Sequence, residues 1–277
     1  MDNARVTALV LLDLTSAFDR VEHRLLSVAL REAGISGYLE GRTQSVVIDG
    51  CASDPAFLKT GVPQGSVLGP LLFCIFMIGL GDVIRRHNLT FVVFADDVQI
   101  FGSFKASEAV DMSRRFQLCV DDLADGFVSK RLLLNGSKSE LILFGSPQQL
   151  KKVSSFRVVL GGEALPIRSS VRDLGFMMDS NRQFNVQVSA VCRAAFCHLR
   201  MLHRVAKLLD VKRCLLLVHS LVISRVNFCC SLCVGLSKSL EKKLDQVIRS
   251  AFRVAVGCGR RDDISAVLRH HEVLLVH

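Results

Sequence analysis

Two short apolar segments that end in, or are split by, aspartate constrain this chain more than any other feature. TALVLLDL (7–14) is a run of apolar residues closed by Asp13, as a buried strand is when it ends at a polar site. LTFVVFADDVQIFGS (89–103) holds an adjacent pair, Asp96 and Asp97, between two runs rich in β-branched and aromatic residues. This second pattern predicts two strands joined by a tight acidic turn. Adjacent aspartates on a flat strand point to opposite faces, so a turn is what lets both serve one site. An isolated Asp-Asp in a turn commonly does no more than satisfy local hydrogen bonds. Its meaning here depends on what accompanies it.

The remaining elements mix strands and helices. In AFDRVEHRLLSVALREAG, Leu25, Leu26, Ala29, Leu30 and Ala33 recur at helical spacing until Gly34. Asp19 with Glu22 three places on matches a capping box, so Asp19 reads as the helix N-cap. TQSVVIDG (43–50) reads as a strand, and GVPQGSVLGP as a Gly/Pro-dense loop entering an apolar helix. Residues 106–129 have helical spacing through Ala109, Met112, Phe116, Val120 and Leu123. LILFG is a further strand, and a hairpin is expected with its turn near Gly161 and Gly162. From Gln183 on the period is helical, in about three helices, the middle one nearly all apolar. The fold class is therefore α+β, with an all-helical last third.

Bulk properties exclude several classes. Half of the 277 residues are hydrophobic, which suits a packed globular protein and not a disordered one. The apolar run from Val67 to Leu80 is shorter than the ~20 residues a bilayer needs. The longer one from Leu215 to Leu236 carries His219, Arg225 and Asn227, which are costly in lipid. Both read as buried helices. The ten cysteines are scattered, and MDNARVTALVLLDL has aspartates where a secretory signal would not, so reduced thiols and an intracellular, nuclear or cytoplasmic site are expected. Cys229, Cys230 and Cys233 lack a second paired motif and read as free thiols, not a zinc site. His198, His203 and His219 read as core or surface residues.

The charge is lopsided. Residues 180–277 hold 16 Lys and Arg against 6 Asp and Glu, whereas the rest holds 19 against 20. A basic third of this kind suits a polyanion, since neutralised phosphates release counterions; a solvated helical face fits the numbers equally well.

The motifs in order carry a resemblance. LLDLTSAFD resembles the first palm motif of reverse transcriptases of non-LTR (LINE-type) retrotransposons, GVPQGSVLGPLLF the second and FADD the third. NGSKSELILF is similar to the fourth, VRDLGFMMD to the hairpin that grips the primer, and NFCCSLCVGL to a thumb segment. The resemblance implies a polymerase palm, an antiparallel sheet with helices on one face, over residues 1–180 including the primer-grip hairpin. A basic helical thumb would follow over 181–277. It implies RNA-directed DNA polymerase activity by two-metal nucleotidyl transfer, with two Mg²⁺ ions (or Mn²⁺) held by Asp13, Asp96 and Asp97. Magnesium's preference for hard oxygen ligands agrees.

By the same resemblance, Leu14 offers its carbonyl near the nucleotide, and Phe18, five residues past Asp13, faces the incoming sugar and favours deoxynucleotides. Pro63, Gln64 and Gly65 form the loop against nucleotide and template. Lys138 is either the general acid for departing pyrophosphate or a solvated lysine. Leu174, Gly175 and Phe176 form the primer grip. The implied partners are an RNA template, a DNA primer and deoxynucleoside triphosphates, in a ribonucleoprotein particle and not at a membrane.

The sequence also departs from the family. It begins almost at the first palm motif, so the fingers, with their triphosphate-gripping cations, and any endonuclease are expected to be missing, which would weaken nucleotide binding. GYLEGR (37–42) is shorter than the family's usual helix there. Trp is absent and Tyr occurs once, which removes common stacking platforms. The alternative is a truncated or domesticated, catalytically inactive remnant that binds nucleic acid.

Overall fold

Strand β1 (Arg5–Leu12) is apolar at nearly every position, and such a strand is stable only where both edges are paired. The computed structural model, which describes residues 5–35, 37, 39, 41–259 and 262–270, places β1 in the middle of a five-stranded sheet. Helix α1 (His23–Glu32) follows, then α2 (Gly69–Phe76) and α3 (Leu80–Arg86). The hairpin of β2 (Thr90–Phe94) and β3 (Asp97–Lys105), helix α4 (Ala109–Ser129), β4 (Glu140–Phe144) and β5 (Ile167–Arg168) complete the elements that matter here. The strand order is β5-β4-β1-β3-β2, antiparallel throughout except β5 beside β4.

One face of this sheet presents Val6, Ala8, Val10 and Leu12 with Val98, Ile100, Leu141 and Leu143, all buried in one core with residues of α1, α2 and α4. Alternation along a strand sends the intervening residues, Leu9 and Leu11 among them, to the other face. Helix α4 buries Ala109, Met112, Phe116, Val120 and Leu123, the spacing predicted, and Phe116 and Phe104 both pack on Phe156. Lys130, just past α4, donates from its ammonium to the carbonyl oxygens of Phe76 and Ile78. These are orphan carbonyls at the end of α2, so a side chain from another helix completes that terminus.

The chain divides into two units, Met1–Ser169 and Ser170–His277. The second begins with a hairpin of β6 (Ser170–Asp173) and β7 (Phe176–Asp179), eleven residues before the start at 181 expected from the sequence. The hairpin belongs with the helices because Phe176 is buried edge-on against Phe184 and the Met177 amide donates to the buried Gln187 side chain. Helix α5 (Asn185–Val205), α6 (Val211–Val218) and α7 (Lys238–Val256) form the helical core, with Val188, Leu199, Val218, Leu244 and Phe252 inside it.

Several sequence expectations are corrected. Asp19 is no cap: it lies in a short helical turn, Ala17–Arg20, while α1 starts after an extended Glu22 whose carboxylate is paired with Arg131 at 2.9 Å. TQSVVIDG is not one strand but two two-residue strands, Thr43–Gln44 and Val47–Ile48. Asp49 and Gly50, with φ of 49° and 81°, turn the latter back onto Cys51–Ala52. Asp-Gly adopts this left-handed pair more cheaply than most dipeptides, which ends the strand. The run at Val67–Leu80 is buried on one side only: Phe73 is inside, Val67 is 94 % exposed. The run at Leu215–Leu236 is α-helical only to Asn227, with a wide turn over His219–Ile223 and a separate 3₁₀ turn at Cys230–Cys233. Tyr38 and Glu40 of GYLEGR lie outside the described residues, as do Met1 to Ala4. No described helix is long and apolar enough to cross a membrane, and all ten cysteines are free.

Replacing Lys130 by Met strands two carbonyls that its ammonium satisfies. A loss of about 1.5–3 kcal/mol is expected in urea unfolding of the whole chain, the cost of hydrogen bonds to a charged group. A change under ~0.5 kcal/mol would show that water replaces the ammonium.

Candidate active site

Register is what brings the acids together. Leu12 pairs with Val98 as the last step of the β1–β3 ladder, so the next residues, Asp13 and Asp97, stand level at one end of the sheet. Residues directly opposite in an antiparallel pair have Cα atoms ~4.5–5.5 Å apart. Leu12 and Val98 both point into the core, so by alternation Asp13 and Asp97 share the opposite face. Phe94 pairs with Asp97, leaving Ala95 and Asp96 as a two-residue loop with Ala95 at φ 53°. The tight turn expected from FADD is therefore present, with Asp96 half-buried within it.

The electrostatics follow from that convergence. Burial raises the Asp97 carboxyl above its ordinary value of 3.8, and the neighbouring charges of Asp96 and then Asp13 push it further. Asp13 has one carboxylate oxygen, Oδ2, that is buried and receives no hydrogen bond. A buried anionic oxygen without a donor is costly and fits a cation. Among the described residues, no group of three or more His, Cys, Asp or Glu side chains is arranged to hold a metal ion by itself. A hard divalent ion commonly takes only one or two protein carboxylates, the remainder coming from phosphate and water.

The backbone around Asp13 is held from the turn that precedes β4. The Asp13 N–H donates to Ser139 Oγ at 3.2 Å, and the Asn135 N–H donates to the Asp13 carbonyl at 2.8 Å. Leu14 is buried and bridges to Leu134, and Thr15 N–H donates to the Leu133 carbonyl. Lys138 lies in this same turn, exposed and without an ion pair to any described residue. The antiparallel bridge of Leu14 with Leu134 and the Asn135 N–H bond to the Asp13 carbonyl set Asn135, three residues before Lys138, beside Asp13.

The other expected residues sit in two places. Phe18 is half-buried and stacked on Phe73, ring centroids 4.5 Å apart, so much of its surface is spent on packing. Its carbonyl accepts from the Val62 N–H, the Val21 carbonyl accepts from Gly61, and His23 Nε2 lies 2.8 Å from the Gly61 carbonyl. These bonds tie the segment before Pro63, Gln64 and Gly65 to the element that follows Asp13. The three loop residues are exposed, and the loop folds back so closely that a Cβ at Gly69 would stand 2.9 Å from the Pro63 carbonyl. Pro63 and Gln64 border a cleft of about 800 Å³ with Asp19, Gln44, Phe57 and Lys59. At the hairpin of the second unit, Leu174 and Gly175 take φ of 43° and 89° at the tip; Leu174 is exposed, and Phe176 is turned inward. Cys230 is exposed while Cys229 and Cys233 are half-buried, so the three thiols are not uniformly inside.

Sequence reading missed Asn135, Ser139 and Lys59. Neither a serine before an apolar strand nor a lysine in a loop carries a mark of its own; only the long-range contacts single them out.

Comparison with known proteins gives a consistent result. A profile of the family "Reverse transcriptase (RNA-dependent DNA polymerase)" matches residues 1–178. The "RNA-directed DNA polymerase from mobile element jockey" of Drosophila funebris is 28% identical over 193 residues, covering 65% of this chain and 20% of that protein. The "Probable RNA-directed DNA polymerase from transposon X-element" of Drosophila melanogaster is 29% identical over 190 residues, again 65% of this chain and 20% of that protein. The chain thus spans about a fifth of the length of these relatives. Among solved structures, that of telomerase from Candida albicans with a fragment of telomeric RNA has a TM-score of 0.41 at 11% identity, covering 97% of this chain and 50% of that one.

Asp97 is expected to cost the folded protein stability near neutral pH. Its raised pKa means the folded state holds the proton where the unfolded chain has released it, so stability falls as pH rises from about 3.8 through the raised value. Asp97→Asn should therefore stabilise the protein by about 0.2–1 kcal/mol at pH 7 in metal-free buffer, the scale of facing like charges. The gain should vanish below pH 3.8. Thermal melts against pH check this; a gain that persists at low pH would place its origin elsewhere.

Proposed function

The chain belongs to the reverse transcriptase (RNA-dependent DNA polymerase) family, and on that premise we propose that it is the palm, with part of the thumb, of a retrotransposon polymerase that extends a DNA primer on an RNA template. The observation that carries this reading is the meeting of Asp13 and Asp97 at one sheet end, with a buried Asp13 oxygen that lacks any donor. In this reading residues 1–180, the primer-grip hairpin included, are the palm, and residues 181–277 are the thumb. The hairpin at Leu174 and Gly175 is the primer grip, with Phe176 as its buried anchor.

Asp13 and Asp96, with Asp97 supporting them, would hold divalent metal, Mg²⁺ or Mn²⁺. When bound, such ions clamp the attacking and leaving oxygens of a phosphoryl transfer and neutralise their charge. The protein's own part is placement. The ladder fixes the spacing of the carboxylates, and the charges of Asp96 and Asp13, which add to burial in raising Asp97, would be offset by a bound cation. Leu14 would offer its backbone carbonyl beside them. Lys138, an exposed cation on the turn that bonds the backbone of Asp13, is suited to stabilise or protonate the departing pyrophosphate. The cleft that Pro63 and Gln64 border would take nucleotide and template, with Gly65 leaving room for close approach, and Lys59 adds a positive charge there. Phe18 would bar a ribose 2′-hydroxyl with whatever ring edge its stack on Phe73 leaves free.

A second reading, a remnant that binds nucleic acid without catalysis, is favoured by α5. Its 21 residues include no Asp or Glu, and Arg193, Arg200 and Arg204 are exposed along it without ion pairs to any described residue. Such a stripe suits a phosphate backbone under either reading.

Primer extension on poly(A) with oligo(dT), Mg²⁺ and dTTP separates the two. Incorporation by the wild-type chain that is lost in the Asp96→Ala/Asp97→Ala double variant supports the polymerase. Equal incorporation by both proteins, or none by either, sinks it for this chain.

The Arg193→Gln/Arg200→Gln/Arg204→Gln variant should bind single-stranded RNA more weakly and with a shallower log–log salt slope. The slope should fall by about 2 if all three contact phosphate, at ~0.7 each. An unchanged slope would mean that the stripe is only solvated.

A further inference from the structure

We propose that Ser139, acting with Asn135, is a positioning residue for Asp13, a role that rests on the metal-binding reading given above. Asp13 lies one residue past the end of β1, where the strand's regular ladder has stopped. Its backbone would be left without partners at that point, and the carboxylate would move with it. The neighbouring turn supplies both bonds instead. The Asp13 N–H donates to Ser139 Oγ at 3.2 Å, and the Asp13 carbonyl accepts from the Asn135 N–H at 2.8 Å.

The hydroxyl is also tied on its other side. Ser139 Oγ donates to the Asn135 carbonyl at 2.8 Å, and the Ser139 N–H donates to the same oxygen at 2.9 Å. Ser137 Oγ donates to Asn135 Oδ1 at 2.7 Å, closing the turn. Ser139 is fully buried, so water has no access to take over its bonds. One hydroxyl therefore links the backbone of Asp13 to the turn that bears Lys138. It sets where the Asp13 carboxylate stands relative to Asp97, which β1 fixes from the other side.

A merely space-filling serine would behave differently from a positioning one. Cysteine is close to serine in volume but a weak hydrogen-bond partner. Ser139→Cys should keep the fold yet leave the Asp13 N–H without a good acceptor; Ser139→Ala removes the acceptor outright. Removing such an outer-shell partner commonly weakens metal binding ~10-fold or more.

Electron paramagnetic resonance of Mn²⁺ titrated into the full chain, with circular dichroism melts of every variant, provides the test. Wild type should bind and Asp13→Asn should lose binding, which checks the underlying reading. Ser139→Cys and Ser139→Ala should raise the half-saturating Mn²⁺ concentration about 10-fold. Phe116→Leu, a core change on the buried face of α4, should lower the melting temperature without moving that concentration. If Ser139→Cys binds Mn²⁺ as wild type does while Asp13→Asn does not, the positioning role is overturned and the metal reading stands. A Phe116→Leu protein that loses Mn²⁺ as severely overturns it too, because stability alone would then account for the effect. If wild type takes up no Mn²⁺, or Asp13→Asn binds equally well, the metal reading falls and this role falls with it.

Discussion

Two carboxylates that repel one another are held level by a β-ladder, and the rest of the first unit depends on that constraint. Left to electrostatics, Asp13 and Asp97 would separate; burial first, then the charges of Asp96 and Asp13, raises the Asp97 carboxyl. They stay because β1 is paired along its whole length to β3, and from Thr7 to Leu11 to β4. The energy that keeps the charges close is therefore not local. It comes from the apolar face of β1, with Val6, Ala8, Val10 and Leu12 packed in the core, and from the backbone bonds on either edge. Functional sites commonly carry such unfavourable local terms, supported by a scaffold that has stability to spare.

The period of two along a strand divides the labour between the faces of the sheet. Residues at Leu12 and Val98 face the helices and hold the structure, while the next position on each strand carries an acid to the other face. A slip of one residue in register would bury the aspartates and expose the leucines, so the core that stabilises the fold also guards the alignment of the site. The connections reinforce this. Segment 18–23 is tied to segment 59–62, and the turn at Asn135–Ser139 to Asp13, so loops distant in sequence take their places from one strand end.

The second unit uses other means. Its hairpin has only two short strands, and stability comes from Phe176 and Gln187 beneath it, not from its own ladder. The helix that follows concentrates arginines on its exposed face and excludes acids. The long apolar run after it breaks at Asn227, in keeping with the polar residues interspersed there.

Much of this was legible in the sequence. Apolar runs ended by aspartate marked β1 and the β2–β3 turn, because burial and turn formation are local demands on residue type. Helical spacing located the buried face of α4 for the same reason, and the ordered motifs marked the family. Other features became visible only when the chain was folded. Asp19 lost its cap role because the carboxylate of Glu22 went to Arg131, over a hundred residues away, while its backbone paired with Thr60. The strand at 43–50 was cut by a left-handed pair at Asp49 and Gly50. The level placement of Asp13 and Asp97, and the hold of Ser139 on Asp13, arise from cross-strand register. Register is fixed by the sum of many side-chain contacts between segments far apart in sequence, and no single segment contains it. The residue types at the site were thus determined by the sequence alone; their meeting was decided by tertiary packing.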